Sequence, residues 1–542
     1  EILRCLVGSE MCIRDRVSGC EGKRGTPNRK TIYAMIKIIL FILFLGYSIT
    51  GIYAQEITHT VVPIGKNYTT GKIVEGQKIV FPQEVYRFEI DSVTEYWSVQ
   101  LRSLRKSGEG YAVKGELLSY QPFKKQVIWN NQISYKGERL FYNFPYILHP
   151  NGSTTVCYNG QDGGMIWEVK GRVVGIYNSV GLLARGDGAG KRIAGIDLAT
   201  GKRIWSRKVN VSTGVDVYGL NDSVLVVRGM GLHQINLRTG QGWDYKANTG
   251  EGDIGRGIAW GGSIFTLGIF ATIAIMSDDE KYIKNVASGL LFEDDDIYWA
   301  GKDRIVRLKK DGKVVWEKPL PQSSVSRSSL ILQDSLLYML NYGETEKGKE
   351  TTSYGNPFVA AYNKDDGRQL FCNVVFDKDE KMKDYSLSGA SVWIANTNKL
   401  IKYTMQDGLP AEKVYKRTSS ENFDAFVEKG VYRKRADDLF YDWVQAIPQY
   451  KIVRTDSLKY LVFDGDVNLI KTEDGKAMYT EYRNWKGYRF LYGQGQTYII
   501  DKENKPVAIL NVSPQSVLVK NRLYEKYKNL VITVDLNQLG LN

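Results

Sequence analysis

The chain has 542 residues, 43% of them hydrophobic, with 35 Tyr, 54 Gly and a formal net charge of +13. That length exceeds one small core, so either several domains or one repeat-built body is expected, and the composition leans toward strands. After Ala54 there are 65 basic and 56 acidic residues, a net of +9 with no basic block and no recognition motif beside it, which excludes a dedicated nucleic-acid binder.

Taken in chain order, residues 1–34 come first. The stretch EILRCLVGSEMCIRDR makes no sense ahead of an export signal and has the form of translated adapter DNA, so 1–34 is expected to be a non-native leader. That removes Cys5, Cys12 and Cys20 from consideration. Residues 35–54 then read as a signal peptide: Lys37 near the start, an apolar run, and the small Ala54 before Gln55. An uncleaved anchor is the alternative, because the run is near the lower spanning length. No cysteine follows it, which argues against lipid attachment. The two remaining cysteines, Cys157 and Cys372, read as small buried hydrophobes in preference to a disulfide.

A repeat follows. Trp129, Trp167, Trp205 and Trp243 stand at even intervals of 38 residues. In KRIAGIDLATGKRIWSRKV, residues 191–209, apolar positions alternate on both sides of ATG, the pattern of two strands joined by a turn. Gly201 supplies the positive φ of that turn, and Asp197 or Thr200 can hydrogen-bond its backbone. Degraded copies place Gly163 and Gly240 ahead of Trp167 and Trp243, Gly312 ahead of Trp316, and Gly367 ahead of Phe371. Further copies centre on Gly408, on Gly475 with Tyr479, and on Asn504. A unit of about this length has room for four short strands, which predicts an all-β fold: a single β-propeller of seven or eight four-stranded antiparallel blades, eight being preferred. Trp129, Trp167, Trp205, Trp243 and Trp316 are then expected to fill the gap between neighbouring blades. The domain would run over 55–542, with the strands at its two ends paired to leave no open edge.

The spacing is interrupted twice. A surplus at about 246–285 contains GIAWGGSIFTLGIFATIAIM, residues 257–276, without a charge. A single span would put half of a closed ring on the wrong side of a bilayer, so a hydrophobic hairpin or short helix folded against the propeller is expected. A membrane-touching or partner-binding loop is the alternative. The second insertion, at about 343–357 in and around YGETEKGKETTSYGN (residues 342–356), is polar and should be an exposed loop.

The run D-L-x-T-G-K-x-x-W from Asp197 to Trp205 resembles the repeat of pyrroloquinoline-quinone-type β-propellers, a family that includes quinoprotein dehydrogenases and the propeller lipoprotein of bacterial outer-membrane assembly. The resemblance covers most of 90–510 and is specific for fold more than for activity. It implies that the five tryptophans named above are the family's blade-docking residues. The YAQE cleavage region and the Asp-Ser-aliphatic triplets at Asp91, Asp222, Asp334 and Asp456 resemble exported proteins of Bacteroidota. In that group such triplets are O-glycosylation acceptors, whereas the residues by themselves read as turn chemistry.

A quinone site of that family would imply adjacent cysteines, and none of the five is adjacent to another. His59, His149 and His233 are isolated, with no metal-ligand spacing. The acidic run Glu293–Asp296 lacks the alternating calcium-loop form and sits where a turn is expected. GDGAGKR, residues 186–192, has no magnesium-binding hydroxyl after Lys191 and reads as a hairpin tip. No catalytic, cofactor-binding or metal residue is therefore assigned, and no cofactor is expected. The expectation is a monomeric, non-enzymatic binding or scaffold propeller of the bacterial cell envelope, exported to the periplasm, outer envelope or exterior, with a protein or glycan partner. The alternative is a hydrolase or lyase acting on a polysaccharide or peptide in the central funnel.

Overall fold

The hairpins that precede Trp129, Trp167, Trp205, Trp243 and Trp316 are all antiparallel strand pairs. A computed structural model describes residues 56–541 apart from short internal segments, the longest being 247–257, 262–273 and 278–287. The leader and signal-peptide readings at 1–54 thus lie outside the described residues.

Eight separate four-stranded sheets follow one another: 85–134, 141–170, 172–208, 216–245, 291–319, 328–374, 384–416 and 423–474, here numbered sheets 1 to 8. In each, the strands lie side by side in chain order. An eleven-stranded sheet holds a further run of four, 478–510, and a closing unit in which Ile73–Val80 pairs with Leu530–Asp535. The strands from the two ends of the described chain therefore bond to each other. Successive sheets share apolar cores, as where Val174, Leu182 and Trp205 of sheet 3 meet Val217, Leu225 and Ile235 of sheet 4. This all-β architecture is a β-propeller. The expectation of seven or eight blades rests on marked hairpins, whereas the closing unit bears no docking tryptophan, although Gly71 takes φ 70° in the turn between Thr58–Asn67 and Ile73–Val80.

The hairpins share a local device. In sheet 3, Gly195 faces Trp205 and Ile196 faces Arg203, so Ile204 is an extra, bulged residue. The same skip leaves out Ile128, Ile166, Val315 and Leu370, each just before the aromatic residue. It persists at Ile470 and Val507, where Lys471 and Ala508 take the aromatic position. A bulge bends an outer strand and raises its twist, which blunts an edge and re-aims the side chain that follows. One aliphatic residue directly ahead of the aromatic (Ile128, Ile166, Ile204, Val315 or Leu370) is its sequence mark.

First strands of neighbouring sheets lie against one another, Phe141–Asn143 beside Arg172–Tyr177 and Asp384–Ser388 beside Phe423–Phe426, which puts them on the inside of the ring. In such a run the first-to-second and third-to-fourth turns share one end, and the second-to-third turns share the other with the links between sheets. The glycine turns thus mark one end of the propeller, the turn end. The opposite end is the link end.

Candidate interaction face

Both insertions emerge at the link end. The segment 246–285 lies in the link from sheet 4 to sheet 5, and 343–357 joins the second and third strands of sheet 6. Within the first, Ile258–Gly261 pairs antiparallel with Ala274–Ser277, so the ends of the apolar run form a hairpin; 262–273 lies outside the described residues. Within the second, Glu344–Lys347 pairs with Glu350–Ser353. Among the described residues no helix is long and apolar enough to cross a membrane.

Around these insertions the link end is built from ionised and hydroxyl groups. The buried Asp216 opens sheet 4 and pairs with Arg228, whose guanidinium also donates to the Ser288 carbonyl at 2.6 Å. Burial pushes the Arg228 pKa down to about 10. Arg304 holds Asp303 at 2.8 Å and Glu317 at 2.5 Å, and the Tyr245 hydroxyl of the preceding sheet donates to Glu317 at 2.5 Å. Burial first, then Glu317, holds the Tyr245 phenol well above its usual range. At sheet 6 Arg327 and Lys381 both reach Glu344, the first residue of the insertion's hairpin. These ion pairs, with the Tyr245–Glu317 hydrogen bond between sheets 4 and 5, fix the geometry from which the insertions project. Their partial burial makes them poor sources of stability but good determinants of register.

The tryptophans expected at blade junctions lie toward the turn end. Trp129, Trp167, Trp205 and Trp316 are 7–8% exposed. Each indole Nε1 donates to a carbonyl of the next sheet: Trp129 to Gly160 at 2.8 Å, Trp167 to Leu198 at 2.7 Å, Trp205 to Leu237 at 2.6 Å and Trp316 to Lys364 at 2.9 Å. The half-buried Trp243 donates to Lys310 at 2.8 Å. The turn glycines Gly163, Gly201, Gly240, Gly312 and Gly367 have φ between 66° and 91° and lie under the indole of the preceding sheet. Gly408 lies outside the described residues, although the strands on either side of it pair as a hairpin. Gly475 is also outside them, and here the sequence expectation fails. The strands flanking it, Leu469–Asp474 and Met478–Trp485, belong to different sheets. The turn of sheet 8 is instead at 464–468, where Val467 takes φ 66° and Asp464 accepts from the Asp466 and Asn468 amides. The glycine pattern misled because a link and a turn use the same residues.

The other singled-out residues have local partners. His59 hydrogen-bonds the Tyr120 hydroxyl, His149 Nε2 donates to the Ser134 carbonyl at 2.8 Å, and His233 Nδ1 donates to Asp244 at 2.5 Å. Asp296 bonds Arg307 at 2.7 Å and Lys309 at 3.0 Å, and Glu293 bonds Lys364. Among the described residues no three His, Cys, Asp or Glu side chains converge as a metal site. No disulfide joins Cys157 and Cys372, and burial pushes the Cys157 pKa up to about 12. Val180–Asp187 pairs with Gly190–Asp197, so GDGAGKR spans a hairpin tip. Ser335 and Ser457, within the Asp-Ser triplets, are exposed.

Two features carry no sequence mark. Trp97, Trp299 and Trp393 are fully buried in second strands, at the seams of sheet 1 with the closing unit, sheet 4 with 5, and sheet 7 with 8. They lie outside the even spacing, and only the apolar run around each hinted at burial. The second feature is a hairpin, Val431–Lys434 with Tyr441–Val444, inserted between the first two strands of sheet 8. Its first strand bonds to Met478–Trp485, the first and hence inner strand of the next run. That inner edge, toward the central funnel, is covered by the chain itself.

Residues 82–259 match the family model described as outer membrane protein assembly factor BamB, and this part of the chain carries repeats of the pyrroloquinoline-quinone-like type. Among curated proteins, none matches the chain. Similar solved structures include BamB from Moraxella catarrhalis, at 10% identity over 80% of this chain and 98% of that one with TM-score 0.31. Others are Hsv2p from Kluyveromyces lactis, at 9% identity over 62% and 98% with TM-score 0.24, and apo AztD from Citrobacter koseri, at 9% over 66% and 92% with TM-score 0.29.

Proposed function

We propose that this chain is a non-enzymatic propeller scaffold of the bacterial cell envelope that binds a protein partner through its link end. The observation that carries the reading is that both insertions leave the propeller at that one end, over a surface of fixed ion pairs. Loops on a rigid frame are where binding groups concentrate. The envelope setting is supported by the family match over 82–259, whose description is an assembly factor for outer membrane proteins, and by the reading of 35–54 as an export signal. A funnel-centred hydrolase is disfavoured by the hairpin that bonds to the inner strand Met478–Trp485.

The test replaces 343–357, and separately 257–276, by short Gly-Ser linkers in the exported chain. Partners captured by crosslinking in the native envelope are then compared. The expected result is loss of the principal partner with the β circular-dichroism spectrum unchanged. Retention of every partner by both variants would refute the link-end assignment.

A further inference from the structure

One charged group at the link end is left with unused donors. Arg102 follows the second strand of sheet 1 and is only 6% exposed. Its Cζ lies 4.5 Å from the ring centre of Tyr86, 4.7 Å from Tyr135 and 5.6 Å from Tyr111. Those rings come from the first strand, the end of the fourth and the start of the third, and sheet pairing alone brings them together. Gly115 makes the room, since a Cβ there would stand 2.8 Å from Tyr135 and 3.1 Å from the Arg102 Cγ. Arg102 Nε donates to the Ala112 carbonyl at 2.9 Å, and its two terminal nitrogens have no partner among the described residues. Nor are they sealed in the interior as orphaned donors.

The carboxylates nearby are engaged elsewhere. Glu116 accepts from Gln83 Nε2 at 3.3 Å and from Asn130 Nδ2 at 3.0 Å, and Glu84 is near enough to Tyr111 to help burial raise the phenol's pKa. Among the described residues Arg102 forms no ion pair. A guanidinium stacked on aromatic rings keeps its planar fork in place, and that fork matches a carboxylate through two parallel hydrogen bonds.

We propose that Arg102, held by Tyr86, Tyr111 and Tyr135, is a carboxylate-binding site at the link end that takes an acidic group of a partner chain. The assignment deepens the scaffold reading and rests on it for the partner's being a protein. The carboxylate is supplied either by an Asp or Glu side chain or by a chain terminus.

The experiment is saturation-transfer NMR on the full chain with three probes: acetyl-Gly-Glu-Gly-amide, acetyl-Gly-Gly-Gly with a free terminus, and acetyl-Gly-Gln-Gly-amide. At least one carboxylate probe is expected to bind saturably and at least ten-fold more tightly than the glutamine probe; which of the two does so identifies the source. Arg102→Met should abolish binding and Arg102→Lys should weaken it at least five-fold. Equal binding of the glutamine and carboxylate probes to the wild-type chain, or no binding of any probe, would overturn the proposal without recourse to a variant. Unchanged binding by a folded Arg102→Met would do the same. Because the probes are not the native partner, loss of this site leaves the crosslinking result for the insertions standing, and the reverse holds too.

Discussion

The Trp205 indole donates to the Leu237 carbonyl at 2.6 Å and lies over Gly240 so closely that a Cβ there would stand 2.7 Å from its Cδ2. Gly240 is thus demanded twice, by a φ of 72° and by the ring above it. Gly240→Ala should destabilise the chain by about 3 kcal/mol, the sum of left-handed strain and overpacking. Trp205→Ala should cost roughly 3–5 kcal/mol. In the double variant the overpacking part disappears, so urea midpoints should show the two effects to be less than additive by about 1–2 kcal/mol. Strict additivity would mean that ring and glycine do not meet.

At three turns where the preceding sheet offers no indole, the position is not glycine. Lys125, Val467 and Asn504 take φ of 53°, 66° and 64° at the corresponding turns of sheet 1, sheet 8 and the run 478–510. Left-handed conformation costs a residue with a Cβ about 1–2 kcal/mol, which outweighs the entropy lost by glycine. The exposed Lys125→Gly should therefore raise stability by about 0.5 kcal/mol. The mirror change, Gly201→Lys beneath Trp167, should lower it by about 3 kcal/mol or more. Equal responses at the two turns would show that the ring does not decide the residue.

That contrast explains what was legible in the sequence. Trp–Gly pairs announce themselves because tryptophan is scarce and each partner imposes a residue type on the other. Once Lys471 stands where Trp316 stands in sheet 5, both constraints lapse together, and the unit fades from view although its bulge at Ile470 persists. The same loss allowed Gly475 to be taken for a turn. The link end was legible only as two surpluses in spacing. Nothing local in the sequence joins Arg102 to Tyr86 and Tyr135, since their meeting depends on cross-strand register.

Arg207 clasps sheet 3 to sheet 4. Its guanidinium donates to the carbonyls of Gln234, Gly240, Gly242 and Trp243 and to Asp244 at 2.6 Å. An ammonium has neither the reach nor the planar fork for this set. Arg207→Lys should cost about 2 kcal/mol and Arg207→Met about 3 kcal/mol, because several carbonyls and a carboxylate lose their donor. Hydrogen exchange provides the local check: amides of Leu232–Ile235 should exchange faster in both variants, while those of sheets 6 and 7 keep the wild-type rates. Uniform acceleration through the ring would contradict a local clasp.

Acid should weaken the fold through two histidines before it reaches the carboxylates. Burial lowers the pKa of His149 and of His233 below the ordinary 6.5; at His233 the Asp244 carboxylate pulls the other way and Arg207 adds to the lowering. Each histidine therefore binds its proton less readily in the folded chain than in the unfolded one. Their contribution to stability is whole above about pH 6.5 and is lost as pH falls through the folded values, at up to about 1.4 kcal/mol per pH unit for each. Asp244 and Asp296 are buried in part, which alone would raise them, but their bonds to His233, Arg207, Arg307 and Lys309 leave both below the ordinary 3.8. Their contribution is present above that value and disappears only at more acid pH. Urea midpoints measured from pH 7.5 to pH 4.5 should thus fall below pH 6.5, and His149→Phe, which keeps a ring against Tyr158, should flatten part of that fall. A wild-type midpoint that is level down to pH 4.5 would mean that neither imidazole is held neutral by the fold.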